Sequence, residues 1–138
     1  MARMMAACGV LCSGCAAYMG RTGNPADRER SAAGWHRIYG LNEKPENMSC
    51  GGCQSPDEEV FHTCRACRAR LCCRSKGFAN CAECEVKTCP DLKKAQSGWD
   101  GVPEIAKTLS RDDFVLFAQP YLGHRRRLAA ARARGRRR

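Results

Sequence analysis

Cysteines arranged in closely spaced pairs constrain this sequence more than any other feature. The chain has twelve cysteines in 138 residues, and eight of them form four C-x2-C pairs. The pairs are Cys12 and Cys15, Cys50 and Cys53, Cys64 and Cys67, and Cys81 and Cys84. Each pair supplies half of the four thiolates that a structural zinc site uses. The spacing therefore predicts a fold held together by cross-links.

Large apolar residues are too few to form a conventional core. Leu, Ile, Val and Phe together make up 19 of the 138 residues, which is below the fraction of about 20% at which chains have difficulty burying enough apolar surface. Metal binding can replace part of that missing stabilisation, because in small metal-binding domains it contributes directly to the free energy of folding. The length itself is typical of one domain.

The choice between disulfides and metal depends on where the protein is located. Residues 1–11 contain one basic residue, Arg3, and a short apolar stretch, and no small-x-small cleavage site follows them. No stretch approaches the ~20 apolar residues that span a bilayer. We therefore expect a cytoplasmic protein without a membrane span, in which thiols stay reduced and bind metal.

The spacing C-x2-C-x4-C occurs twice in the central region. The two copies are Cys64, Cys67 and Cys72, and then Cys81, Cys84 and Cys89. Cys73 lies outside this repeat and next to Cys72, and neighbouring side chains rarely reach the same ion. We expect Cys73 to be a small apolar filler or a spare thiol.

Eleven cysteines are our candidate metal ligands. They are Cys8, Cys12, Cys15, Cys50, Cys53, Cys64, Cys67, Cys72, Cys81, Cys84 and Cys89. The expected cofactor is zinc, two to three ions, and the alternative is a [4Fe–4S] cluster, since clusters are also held by cysteine thiolates. In the simplest grouping, Cys12 and Cys15 share one ion with Cys50 and Cys53. Cys64 and Cys67 then share a second ion with Cys81 and Cys84. A rival grouping keeps the three cysteines of each copy of the repeat together on one ion.

The first three of these cysteines have the spacing that radical-SAM enzymes use for their cluster. That chemistry needs most of a β/α barrel, and such barrels have about 200 residues or more. A chain of 138 residues is too short for one.

The three histidines, His36, His62 and His124, lie far apart in the chain, and no P-loop or nucleophile elbow is present. The sequence therefore contains no candidate catalytic residue, and we do not expect an enzyme.

Helix signals outside the cysteine turns predict a mostly α fold. We expect a small, irregular, metal-stabilised domain with zinc-knuckle-like turns and several short helices. Asn24, Pro25 and Gly40 are a cap, a first residue and an end signal for one helix. The expected helices cover residues 24–40, 68–76, 90–96, 102–109 and 110–117. The expected organisation is a cysteine-rich metal-binding domain at 1–97, a helical extension packed on it at 98–122, and a mobile basic tail at 123–138.

The charge is concentrated at the end of the chain. The net charge is +10, and eight arginines with no acidic residue lie after residue 121. Such a segment has too little apolar surface to pack stably, so we expect it to be separable from the rest. A possible partner is nucleic acid, bound weakly and without sequence preference between Arg125 and Arg138.

The cysteine pattern resembles a known family. The motifs that carry the resemblance are Cys8-Gly9-x-x-Cys12-x-x-Cys15, Cys50-x-Gly52-Cys53, the repeat described above, and the tract CCRSKGFANC at 72–81. Over about residues 6–96 the chain is similar to the bacterial and archaeal family called domain of unknown function 3795. The resemblance implies metal binding and implies no activity. Cys73 is the one cysteine that departs from the family pattern.

The expected function is therefore that of a small, cytoplasmic, zinc-binding module that interacts with an unknown protein partner. Two alternatives stay open at this point. One is an iron–sulfur redox or sensor protein, and the other is an accessory protein that binds nucleic acid through its arginine-rich end.

Overall fold

The structure is a computed structural model that describes residues 4–86 and 88–136. Six α-helices alternate with 3-10 turns, and these described residues contain no β-strand. The mostly α fold expected from the sequence is confirmed. The helices are α1 (Pro25–Tyr39), α2 (Arg68–Lys76), α3 (Pro90–Ser97), α4 (Val102–Ala106), α5 (Arg111–Phe117) and α6 (His124–Arg136).

Local signals set the ends of α1 as expected. The Asn24 side chain accepts a hydrogen bond from the backbone N–H of Asp27 at 2.9 Å, which satisfies a donor at the helix start. Gly40 ends the helix with a φ of +70°, a conformation that favours glycine. The helix expected at 102–109 is shorter than its apolar pattern indicated, because α4 ends at Ala106 and turns follow.

Two small apolar clusters pack against the cysteine-bearing segments. In one, the Trp35 and Phe61 rings meet edge to face with centroids 5.2 Å apart, and Phe117 packs against them. Gly34 makes this packing feasible, since a Cβ there would lie 2.0 Å from the Phe117 ring. In the other, the buried Tyr121 side chain stacks on Trp99 with centroids 4.4 Å apart.

The arginine-rich end forms helix α6 and packs on the cysteine-bearing part of the chain. Leu128 is 4% exposed and lies over Gly9, where a Cβ would be 2.1 Å from the His124 carbonyl oxygen. The Arg127 guanidinium donates to the Gly9 carbonyl at 2.9 Å, and Arg132 donates to the Cys81 carbonyl at 3.2 Å.

This packing differs from the separable tail expected from composition. Arg127 and Arg132 donate to backbone carbonyls. A count of acidic residues does not reveal these acceptors, because they belong to the main chain. Residues 137 and 138 of the expected tail lie outside the described residues. Within the described part of the chain, no helix is long and apolar enough to cross a membrane.

Truncating Leu128 should weaken the docking of α6. We expect Leu128→Ala to lower the free energy of unfolding by about 2–5 kcal/mol, the cost of emptying a buried leucine site. Thermal unfolding of the full metal-loaded chain measures this effect. Ala130→Gln, on the exposed side of the same helix, is the matched control. Equal midpoints for the two variants would contradict the docking.

Candidate metal centre

Seven cysteines from three segments line a single cavity of about 460 Å³. They are Cys8, Cys12, Cys15, Cys50, Cys53, Cys64 and Cys67. Much of the remaining wall is apolar and includes the side chains of Trp35, Phe61, Val102 and Tyr121. We call this space the seven-cysteine cavity. It brings together seven of the eleven cysteines predicted to bind metal.

Backbone hydrogen bonds shape the segments that carry these thiols. The Met19 N–H donates to the Cys50 carbonyl at 2.8 Å, which places the second segment beside the first. The Gly52 N–H points at Cys50 Sγ from 3.4 Å, and the Ala7 N–H points at Cys53 Sγ from 3.4 Å. Backbone donors aimed at sulfur stabilise negative charge on a thiolate.

The third segment enters the cavity through a 3-10 turn. This turn, His62–Ala66, carries Cys64, and Cys67 is the N-cap residue of α2. The short turn therefore places both members of one C-x2-C pair on the cavity wall.

Arg70 holds the loop that follows Cys53, and sequence reasoning missed it. Its side chain is completely buried and donates to the Cys53 carbonyl at 2.8 Å, to the Ser55 carbonyl at 2.6 Å and to the Asp57 carboxylate at 2.7 Å. The bond to Arg70 lowers the pKa of Asp57. Nothing in the repeat distinguishes this arginine from its exposed neighbours, so no sequence signal marks it.

Tyr121 and Gln96 contact the cysteine segments from the last third of the chain. The Tyr121 hydroxyl lies 3.1 Å from Cys15 Sγ. The Gln96 side-chain amide donates to the Cys8 carbonyl at 3.1 Å. These contacts were also absent from the sequence prediction, because they join residues about ninety or more positions apart.

Burial strongly disfavours free thiolates in the cavity. It raises the pKa of Cys12 and Cys15, raises that of Cys53 to about 11 and raises that of Cys64 to about 12. The charges of neighbouring cysteines raise each of these pKa values further. A thiophilic cation or cluster would supply the compensating positive charge, so the donor set fits such a group. Each ligand would release a proton on binding, and affinity would rise with pH.

A second group of cysteines lies where α2 ends and α3 begins. Its members are Cys72, Cys73, Cys81, Cys84 and Cys89. Cys73 Sγ lies 3.6 Å from Cys81 Sγ, although Cys73 was the one cysteine expected not to take part. The other members are partly exposed, and Cys73 is buried.

The two copies of the repeat lie in different surroundings. Cys64 and Cys67 line the cavity with the pairs from the first two segments, whereas Cys81 contacts Cys73. Among residues 4–86 and 88–136, no three His, Cys, Asp or Glu side chains are placed closely enough to bind one ion between them.

Comparison with known proteins identifies the family. No curated protein and no solved structure matches the chain. One family model does match, and the matched range, residues 4–94, contains all twelve cysteines. The resemblance noted in the cysteine pattern is thereby confirmed. The chain belongs to the family described as protein of unknown function (DUF3795).

Proposed function

We propose that this protein is a thiolate metalloprotein and that its seven-cysteine cavity holds an iron–sulfur cluster. The observation that carries the proposal is the size of the cavity, about 460 Å³, with seven thiols on its wall. Four thiolates on one zinc ion lie about 3.5–4 Å apart, because each Zn–S bond is near 2.3 Å. A [4Fe–4S] cluster places eight further atoms between its cysteines and needs a space of this kind.

The apolar wall favours the same assignment. Trp35, Phe61 and Val102 line the cavity beside the thiols, and an apolar shell is one means by which proteins control the potential of a cluster. The backbone N–H groups of Gly52 and Ala7, which point at cysteine sulfur atoms, are a second means of controlling that potential. The chain's own groups therefore suit a cluster that changes its oxidation state by one electron.

The functional class that follows is a redox or sensor protein. In the proposed site, cysteine thiolates fill the coordination positions of the cluster. Zinc is the second candidate metal, favoured by one observation outside the cavity. The 3.6 Å between Cys73 Sγ and Cys81 Sγ is the separation that a shared zinc ion imposes.

Metal analysis of the full chain, purified without oxygen, tests this proposal. We expect iron and acid-labile sulfide in matched amounts, broad visible absorbance, and a paramagnetic signal on one-electron reduction. Cys64→Ser removes a cavity thiol and should lower the iron content. Ser75→Ala, on the exposed side of α2, should leave it unchanged. A folded, colourless protein that contains zinc alone would contradict the cluster.

A further inference from the structure

The contact between Cys73 and Cys81 involves the cysteine that the register of the repeat leaves out. Repeat spacing makes Cys72 the third ligand after Cys64 and Cys67. The structure instead places Cys73 Sγ 3.6 Å from Cys81 Sγ. Thiolates that share one tetrahedral ion lie about 3.5–4 Å apart, so this pair has the separation of two ligands.

Helix geometry explains why Cys73 and not Cys72 reaches Cys81. Cys73 lies four residues after Ala69, so the two share the buried face of α2. They pack there against Ala7. Cys72 is one position earlier, about 100° around the helix at 3.6 residues per turn. It shares its face with the exposed Arg68.

The backbone on both sides holds Cys81 in this position. After α2 ends, the Phe78 N–H donates to the Cys73 carbonyl at 2.9 Å, and the Cys81 N–H donates to the Ala7 carbonyl at 3.0 Å. The Asn80 side chain accepts from the Ala82 N–H at 2.9 Å. The Cys81 sulfur therefore faces α2 because of the main-chain path.

Two more thiols follow Cys81 closely along the chain. Cys84 closes the 3-10 turn that begins at Cys81, because its N–H donates to the Cys81 carbonyl at 3.2 Å. Cys89 is the N-cap residue of α3.

We propose that Cys73, rather than Cys72, binds metal and shares one ion with Cys81. This inference rests on the proposed function, in which the cysteines of this chain bind metal. It adds a ligand pair outside the lining of the seven-cysteine cavity and assigns it a thiophilic divalent cation of the zinc type.

Cobalt loading of the full chain tests the assignment, because Co²⁺ in a zinc site reports its ligands by visible and charge-transfer absorbance. The variants are Cys73→Ala, Cys73→Ser and the matched controls Cys72→Ala and Cys72→Ser. Cys73→Ala keeps a small apolar side chain in the buried position. It would therefore leave metal binding unchanged if Cys73 only fills space, and it would remove a ligand if Cys73 binds metal. We expect both Cys73 variants to lose one thiolate contribution from the cobalt spectrum and to hold less zinc. Both Cys72 variants should match the wild type.

Two outcomes would overturn the inference in distinguishable ways. If the wild type takes up cobalt and zinc, and Cys73→Ala loads like the wild type while Cys72→Ala does not, the repeat register is right and Cys73 is a filler. If the wild type takes up neither iron, zinc nor cobalt, the proposed function itself fails and this inference fails with it. Circular dichroism of each variant separates ligand loss from unfolding, because a ligand effect changes the cobalt spectrum of a chain that is still helical.

Discussion

Withdrawing metal from the full chain should abolish its cooperative unfolding. Binding of a structural metal by thiolates is worth about 10–16 kcal/mol in small domains at neutral pH, whereas whole domains are stable by only about 5–15 kcal/mol. The apolar clusters described here are small and cannot compensate for such a loss. We expect the metal-free chain to lose most of its helical signal, with α2 and α3 the most affected because cysteine turns flank both.

Circular dichroism and thermal unfolding measure this effect after anaerobic chelation, with metal content verified on the same sample. A mock-treated sample and a sample reconstituted anaerobically with iron, sulfide and zinc are the controls. Reconstitution should restore the transition, since the thiols remain reduced. A verified metal-free chain that still unfolds cooperatively at the original midpoint would show that apolar packing alone holds this fold.

Replacing Arg70 should damage both stability and metal binding. Arg70→Met leaves the Cys53 carbonyl without its side-chain donor and removes one of the two arginine donors to the Ser55 carbonyl, and an unsatisfied buried acceptor costs about 1–3 kcal/mol. The loop that carries Cys53 would also lose its main support. Groups that orient a metal ligand typically change metal affinity by about 10–100-fold, and we expect an effect in that range.

Arg74→Met is the matched control for this variant. Arg74 lies one helical turn later on α2 and also donates to the Ser55 carbonyl, at 2.7 Å, but from an exposed position. Thermal unfolding and competition with a chelator compare the two variants. Indistinguishable midpoints and affinities would mean that the buried guanidinium does not position Cys53.

Local chemistry explains which parts of the fold were predictable. The helix over 24–40 depends on the Asn24 cap, the proline after it and the glycine at its end, all of which act within a few residues. The helix after Cys67 ends at Gly77 for the same reason. The C-x2-C turns are equally local. Such features can be read directly from the sequence because no distant residue is needed to form them.

Spacing along the chain did not show how different the surroundings of two neighbouring cysteines are. The repeat selected Cys72 by its distance from Cys67 along the chain, but α2 buries the face that carries Cys73. Burial depends on Ala7, which lies 66 positions away in sequence yet packs on the same helix. The contacts of the arginine-rich end were equally out of reach, because composition contains no information about the carbonyls that Arg127 and Arg132 bind.

The sequence by itself determined the fold class, the family, the ends of the main helices and the thiols available for metal. Each of these follows from residue types and from distances of a few positions along the chain. Only the tertiary structure decided that thiols from three segments line one cavity, that Arg70 is buried behind Cys53, and that α6 packs over Gly9. These features join residues that are distant in sequence, and a long-range contact forms only where the whole chain path brings its two partners together.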